Sequence, residues 1–151
     1  MATAHELTDV PLAPEAAFRL WTDLRRWPSF IDGFGHVDRV DEAWPEEGSK
    51  VVWRSRPGGR GAVTERVLTS HSGVEVSTHV LEERLTGTQT VRFAPTEDGS
   101  RVELILDYSL TRGGPFSGIT DLLFIRRAER DSLRRTLRRF ATEAAEEAAL
   151  G

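Results

Sequence analysis

The sequence predicts an α+β domain in which an antiparallel sheet is closed on one face by a single long C-terminal helix. Three observations predict it. Short runs of alternating apolar residues, separated by turn residues, occupy the chain from His36 to Leu110. A breaker cluster, Gly113-Gly114-Pro115, then precedes a stretch from Ser117 to about Ala149 that has helical spacing and no further proline. Only one other helical patch is evident, near the N-terminus. A lone long helix after many strands needs a sheet to lie against, and the sheet needs the helix to cover its apolar face. A pocket between the two is expected, which points to a ligand-binding domain.

Taken in order, His5 to Val10 forms a first strand, ended by Pro11 to Pro14. Pro14 suits the first position of a helix, where its missing N–H costs nothing. Phe18, Trp21 and Leu24, with Ala17 and Leu20 beside them, predict an amphipathic helix over Glu15 to Leu24. Trp27-Pro28 breaks it, and Pro28 opens a further short turn through Ser29, Phe30 and Ile31, ended by Gly33 and Gly35. Strands follow at Val37–Ala43, Lys50–Arg56, Ala62–Ser70, Val74–Leu81, Gln89–Ala94 and Arg101–Leu110. Turns are expected at Pro45–Gly48, at the PGGRG of Pro57–Gly61, at His71–Gly73 and at Thr96–Ser100. The last strand alternates most clearly, Val102, Leu104, Leu106, Tyr108 and Leu110 against Glu103, Ile105, Asp107 and Ser109, as a sheet covered on one side requires.

Composition narrows the function classes. With 151 residues the chain is read as one domain, 1–151, able to bury about 70% of its unfolded surface without staples. It has no cysteine, which excludes disulfides, thiolate metal sites and cysteine nucleophiles. MATAHELTDV has no basic region followed by an apolar run, and no apolar stretch approaches the roughly 20 residues of a membrane span. A cytoplasmic protein with no membrane insertion is the expectation. The net charge of −4 argues against a general nucleic-acid binder. Basic residues are 19 Arg and one Lys, and asparagine is absent, a bias read as compositional rather than functional.

Two stretches carry a family resemblance. PLAPEAAFRLWTDLRRWPSFI, Pro11 to Ile31, gives a strand end, a proline-started helix and a tryptophan-proline before a second short helix. RFAPTEDGSRVELILDYSL leads into GPFSGITDLLFIRRAERDSLRRTLRRF in the C-terminal half. Together they resemble the START-like superfamily, also called the polyketide cyclase/dehydrase (SRPBCC, Bet v 1-like) group, over nearly the whole chain. The resemblance implies a helix-grip: a curved seven-stranded antiparallel sheet wrapped around the C-terminal helix, with two short helices after the first strand and a cavity at the open end. It further implies a role among aromatase/cyclases, lipid carriers, plant pathogenesis-related proteins, ribosome-associated proteins or chaperone partners. Fold alone does not choose between them.

The motifs exclude more than they assign. His5, His36, His71 and His79 show no HxH, HExxH or carboxylate-neighbour pattern, so no metal is expected. There is no GxSxG, and Gly58, Gly59 and Gly61 lack both P-loop and dinucleotide spacing, so no cofactor is indicated. Alternation places Trp53, Val91, Phe93, Leu104, Leu106 and Tyr108 toward the helix, which answers with Ile119, Leu122, Leu123, Leu133, Leu137, Phe140 and Ala144. Most of these read as core. Phe30, Phe34 and Phe116 lie in segments flanking the cavity mouth, as lids or as ordinary packing. Tyr108 is more informative, because a buried phenol needs a hydrogen-bond partner that a ligand can supply.

Glu65 is the sharpest candidate. If Val63 and Val67 face inward, so does Glu65, as a carboxyl on an apolar wall with a raised pKa. The opposite phase puts Ala62, Thr64, Arg66 and Leu68 inward and Glu65 in water. The first is preferred, with pairing to a nearby Arg favoured over catalysis. Val74, Val76 and Val80 take the inner face of their strand, which turns His79 outward. The long helix carries Arg126, Arg127, Arg130, Arg134, Arg135, Arg138 and Arg139 against Glu129 and Asp131, read as a solvated face, with Arg139 and Glu143 spaced to pair and Arg127 near the mouth.

The leading function is binding of a hydrophobic small molecule such as a lipid, polyketide or aromatic metabolite. The ligand set is Phe30, Phe34, Trp53, Glu65, Val91, Phe93, Leu106, Tyr108, Phe116, Leu123 and Arg127. A cofactor-independent cyclase or dehydratase using Glu65 or Tyr108 is the second class, and a protein- or ribosome-docking module using the arginine-rich face is the third. Oligomeric state is left open.

Overall fold

The computed structural model describes the backbone of residues 1–111 and 119–151, and the side chains of 1–111 and 122–151. The order is β1 (Ala2–Val10), α1 (Pro14–Thr22), a 3-10 turn (Leu24–Arg26), α2 (Trp27–Phe30), β2 (Phe34–Val40), β3 (Lys50–Ser55), β4 (Ala62–His71), β5 (Glu75–Leu81), β6 (Leu85–Thr96), β7 (Gly99–Leu110) and α3 (Ile119–Leu150). The seven strands form one antiparallel sheet in the order β1-β7-β6-β5-β4-β3-β2. With a 32-residue C-terminal helix and two short helices after the first strand, this is the helix-grip arrangement. The breaker cluster, the Ser117 start of the helix, Phe116 and the side chain of Ile119 lie outside the described residues.

Local chemistry sets most boundaries. Pro14 opens α1, and Ala17, Phe18, Leu20 and Trp21 form its buried face. The helix ends at Thr22 rather than Leu24, because Asp23 turns extended and its carboxylate accepts the Arg25 backbone N–H at 3.1 Å, starting the 3-10 turn. The carbonyls freed at the end of α1 find unusual partners. The indole N–H of Trp27 donates to the Trp21 carbonyl at 2.7 Å, and that of Trp44 to the Thr22 carbonyl at 2.9 Å.

Several strands differ in extent from the sequence reading. β2 begins at Phe34, three residues before the expected start, and runs through Gly35. Two register shifts against β3, at Phe34/His36 and Val37/Arg39, break the alternation that would have revealed it. A Cβ at Gly35 would lie 2.6 Å from the Arg54 carbonyl oxygen, so this irregular pairing needs glycine. β6 begins at Leu85, because Thr86, Gly87 and Thr88 pair with β7 without an apolar signature. Thr96 pairs with Gly99, which shortens the expected Thr96–Ser100 turn to two residues. Val74 precedes β5 and is 57% exposed, not inward.

The core lies between the inner sheet face, α1, α2 and the C-terminal half of α3. Leu133, Leu137, Phe140 and Ala144 make the buried stripe of α3 at helical spacing. Phe140 is fully buried, its ring centroid 5.2 Å from Trp21 and 5.1 Å from Phe30. Leu122 and Leu123 do not join this stripe: they are 41% and 59% exposed, and the helix packs on β1, α2 and α1. Charge fixes the same half of the helix. Asp32, just after α2, receives Arg135 at 3.0 Å, Arg139 at 3.3 Å and the Ser132 hydroxyl at 2.8 Å. Arg26 pairs with Glu143 at 2.8 Å and Glu147 at 3.0 Å. Arg139 and Glu143 therefore each have another partner, and the expected pairing between them does not form.

Candidate functional site

Cross-strand register builds the site from the sheet outward. On β4, Val63, Glu65 and Val67 all face the core, which settles the phase of that strand. Glu65 lies opposite Val51 of β3 and Val80 of β5. Trp53 and Thr78, two residues further along each neighbour on the same face, reach it diagonally. The Trp53 indole N–H donates to Glu65 Oε2 at 2.8 Å, and the Thr78 hydroxyl donates to Oε1 at 3.1 Å. Glu65 is only 5% exposed, among valines that are 0–1% exposed. Burial pushes its pKa above the usual carboxylate range. The two hydrogen bonds and the charge of Arg60 pull the other way without cancelling it.

Arg60, in the β3–β4 turn, extends the network. Its guanidinium carbon sits 5.0 Å from the centroid of the Trp53 ring, and its Nε donates to Glu82 at 2.5 Å. Glu82, just after β5, keeps only 7% of its side chain exposed. Across the grip, Glu129 of α3 is half-buried, and burial raises its pKa, helped by the negative charges of Glu82 and Asp32 and opposed by Arg60. One guanidinium thus serves the surroundings of three acids. Tyr108 on β7 is 3% exposed and makes no hydrogen bond to another described residue. Burial and then Glu129 raise its pKa, against Arg126 and Arg130.

A small void of about 10 Å³ adjoins the carboxyl, lined by Trp21, Thr22, Trp27, Trp44, Glu65, Val76, Thr78, Gln89 and Val91. That is room for about one water molecule. Of the sequence candidates, the structure brings Trp53 and Glu65 together and sets Val91 on the same void. Phe93 and Leu106 are buried on the same wall, Phe93 packed edge-on against Phe18 at 5.7 Å. Tyr108 stands apart, toward α3. Phe30 and Phe34 are core side chains, 0% and 5% exposed, against Trp21, Phe140, Trp27 and Trp53. Leu123 and Arg127 point to solvent.

Four participants were not singled out from the sequence: Arg60, Thr78, Glu82 and Glu129. Two had a readable signal. Thr78 shares the parity of Val76 and Val80, and Glu129 lies four and eight residues before Leu133 and Leu137, on the buried stripe. Arg60 and Glu82 lie in turns, where periodicity carries no information. Among the described residues, no group of three His, Cys, Asp or Glu side chains is placed to hold a metal ion, and no helix is long and apolar enough to cross a membrane.

The same frame recurs in solved structures of low sequence identity. The di-domain ARO/CYC StfQ from the steffimycin biosynthetic pathway superposes with a TM-score of 0.75 at 18% identity, covering 99% of this chain and 52% of that one. A protein from Rhodobacter sphaeroides gives 0.70 at 16% identity, with 99% and 93% covered. The protein of unknown function SA2116 from Staphylococcus aureus gives 0.71 at 13% identity, with 99% and 96% covered. No curated protein matches the chain. Residues 1–145 match the family described as polyketide cyclase/dehydrase and lipid transport. That match spans all seven strands and most of α3, and the chain belongs to this family.

Proposed function

We propose that the protein binds a small hydrophobic molecule between the inner sheet face and α3, with Glu65 as the polar anchor. The observation that carries this reading is Glu65 itself, a 5% exposed carboxyl on an apolar wall beside a void of about 10 Å³. Burying a carboxyl is costly, and an apolar residue between Val63 and Val67 would pack there without that cost. A group held against its cost, and satisfied by two donors among the described residues, has capacity left for a ligand. Small-molecule pockets run to roughly 300–1,000 Å³, so uptake requires the grip to widen from its void of about 10 Å³. The N-terminal turns of α3 are suited to that movement, because before Leu133 none of its described side chains is fully buried, Ile125 and Glu129 being only partly so. Membership of a family that includes lipid transport agrees with an apolar ligand.

The raised pKa of Glu65 favours a second reading on the same site. A carboxyl whose pKa is raised holds its proton to higher pH and is a better match for donating it to a carbonyl or leaving hydroxyl, the step that cyclisation and dehydration need. Resemblance to a protein described as ARO/CYC supports it.

The test is titration of the purified protein with an environment-sensitive apolar dye, followed by displacement with fatty acids and with aromatic polyketides. Saturable one-to-one uptake that Glu65→Leu weakens supports the binding site. Absence of saturable uptake by the folded protein overturns it. Turnover of a polyketide chain that Glu65→Gln abolishes, with the fold intact, selects the enzymatic reading.

A further inference from the structure

A second concavity lies outside the grip. It is an open groove of about 760 Å³ between β1, an edge strand of the sheet, and the adjoining side of α3, with Leu137 and Ala141 at its floor. Its strand side is Glu6, Leu7 and Thr8, with Leu7 51% exposed. Its helix side is an exposed ridge of Arg138, Thr142, Ala145, Glu146 and Ala149. The charges around this ridge are mostly taken. Arg134 pairs with Glu6 at 3.2 Å, and Glu143 and Glu147 both pair with Arg26. Arg138 and Glu146 are left with no ion-pair partner among the described residues.

Those two free charges have opposite sign and stand eight residues apart, about 12 Å along the helix. Thr142 is at their midpoint. Between and beyond them the ridge carries short side chains, Ala145 and Ala149, which let another helix approach closely. A helix of the same sequence, turned end for end about Thr142, sets Arg138 against the partner's Glu146 and Glu146 against the partner's Arg138. The ridge is its own electrostatic complement under a twofold rotation, as an isologous interface requires.

We propose that this groove receives a second copy of the chain, forming a twofold dimer through antiparallel α3 ridges centred on Thr142, with Leu7 of β1 covered at the margin. The surface is separate from the Glu65 site, so the inference does not depend on the function proposed above.

The experiment is sedimentation equilibrium of the wild-type protein and three variants over a wide concentration series, with circular dichroism confirming the fold of each. Arg138→Glu and Glu146→Arg each place like charges together twice, and each should weaken association by more than about tenfold. The double variant Arg138→Glu/Glu146→Arg restores the opposite-charge pairing and should recover dimerisation. A wild-type protein that stays monomeric throughout overturns the proposal. So does a dimer indifferent to both single changes, which uses another surface, or a double variant that fails to recover, which breaks the antiparallel register. Native mass spectra showing a monomer with a lipid or peptide that Arg138→Glu releases would assign the groove to that occupant instead.

Discussion

Replacing Glu65 with Gln separates the two costs that meet at this carboxyl. The amide is nearly isosteric and can keep both hydrogen bonds, its oxygen accepting from Trp53 and its nitrogen donating to the Thr78 hydroxyl, which can turn to accept. What the substitution removes is the charge. Burial raises the pKa of Glu65 in the folded protein, so between the ordinary carboxylate value and the raised one the native state holds more protons than the unfolded chain. The stability owed to this group is therefore full at low pH and is lost as pH rises through that window. Gln has no such loss. Below the ordinary carboxylate range the two proteins should agree to within about 1 kcal/mol, the scale of one altered hydrogen bond. Above it, Glu65→Gln should become the more stable, by about 1.4 kcal/mol for each pH unit crossed, until the pH passes the raised pKa and the difference levels. Urea unfolding followed by circular dichroism across a pH series measures this directly, and carboxylates not coupled to Glu65, as Glu82 is, cancel in the difference. A Gln variant less stable than wild type at neutral pH by more than about 1.5 kcal/mol would refute the reasoning. The Trp53 and Thr78 bonds and the Arg60 charge would then hold the ionised form, and Glu65 would have no proton to give.

Three further outcomes follow from the packing. Phe140→Ala, which empties a fully buried position between Trp21 and Phe30, should cost about 3–5 kcal/mol in chemical denaturation. Gly87→Ala should cost about 1–3 kcal/mol or more, because its new Cβ would fall 2.3 Å from the Asp107 carbonyl oxygen and 2.9 Å from the Tyr108 Cα; an unchanged melting temperature would mean that β6 and β7 part at this pair without loss. Asp32→Asn should cost about 1–2 kcal/mol at neutral pH. Burial alone would raise the Asp32 pKa, but Arg135, Ser132 and Arg139 bring it below the usual range. Its contribution is thus present above the ordinary carboxylate value and disappears as pH falls through the lowered one, so the variant and wild type should converge in acid.

The sheet and the long helix were legible in the sequence because each exposes one face and buries the other. Alternation in β7 and the Leu133, Leu137, Phe140 stripe are the imprint of that asymmetry. Legibility failed where the asymmetry lapses. In β2 two register shifts remove the period, and early in β6 the inner positions after Leu85 are Gly87 and Gln89, which give no apolar signal. The N-terminal turns of α3 carry Leu122, Leu123 and Phe124 in succession, so apolar residues point in every direction and the sequence cannot say which is inside. For the candidate site, alternation offered two phases for β4, and cross-strand contacts with Val51, Val80, Trp53 and Thr78 decide between them. Arg60 was hidden for a different reason: its position over Trp53 depends on how a glycine-rich turn folds back, a tertiary fact with no period.

All four tryptophans converge on this part of the protein. Trp27 lies within 6.3 Å, centroid to centroid, of both Trp44 and Trp53, and Trp21 shares the void beside Glu65 with Trp27 and Trp44. The intrinsic fluorescence of the molecule is therefore a local probe, not an average over the fold. Excitation captured by any one indole can pass to its neighbours, and Trp53 is the member hydrogen-bonded to the titrating carboxyl. Emission intensity and wavelength should respond to the protonation of Glu65 and to anything that enters beside it. The protein carries its own optical label at the position where one would otherwise be engineered.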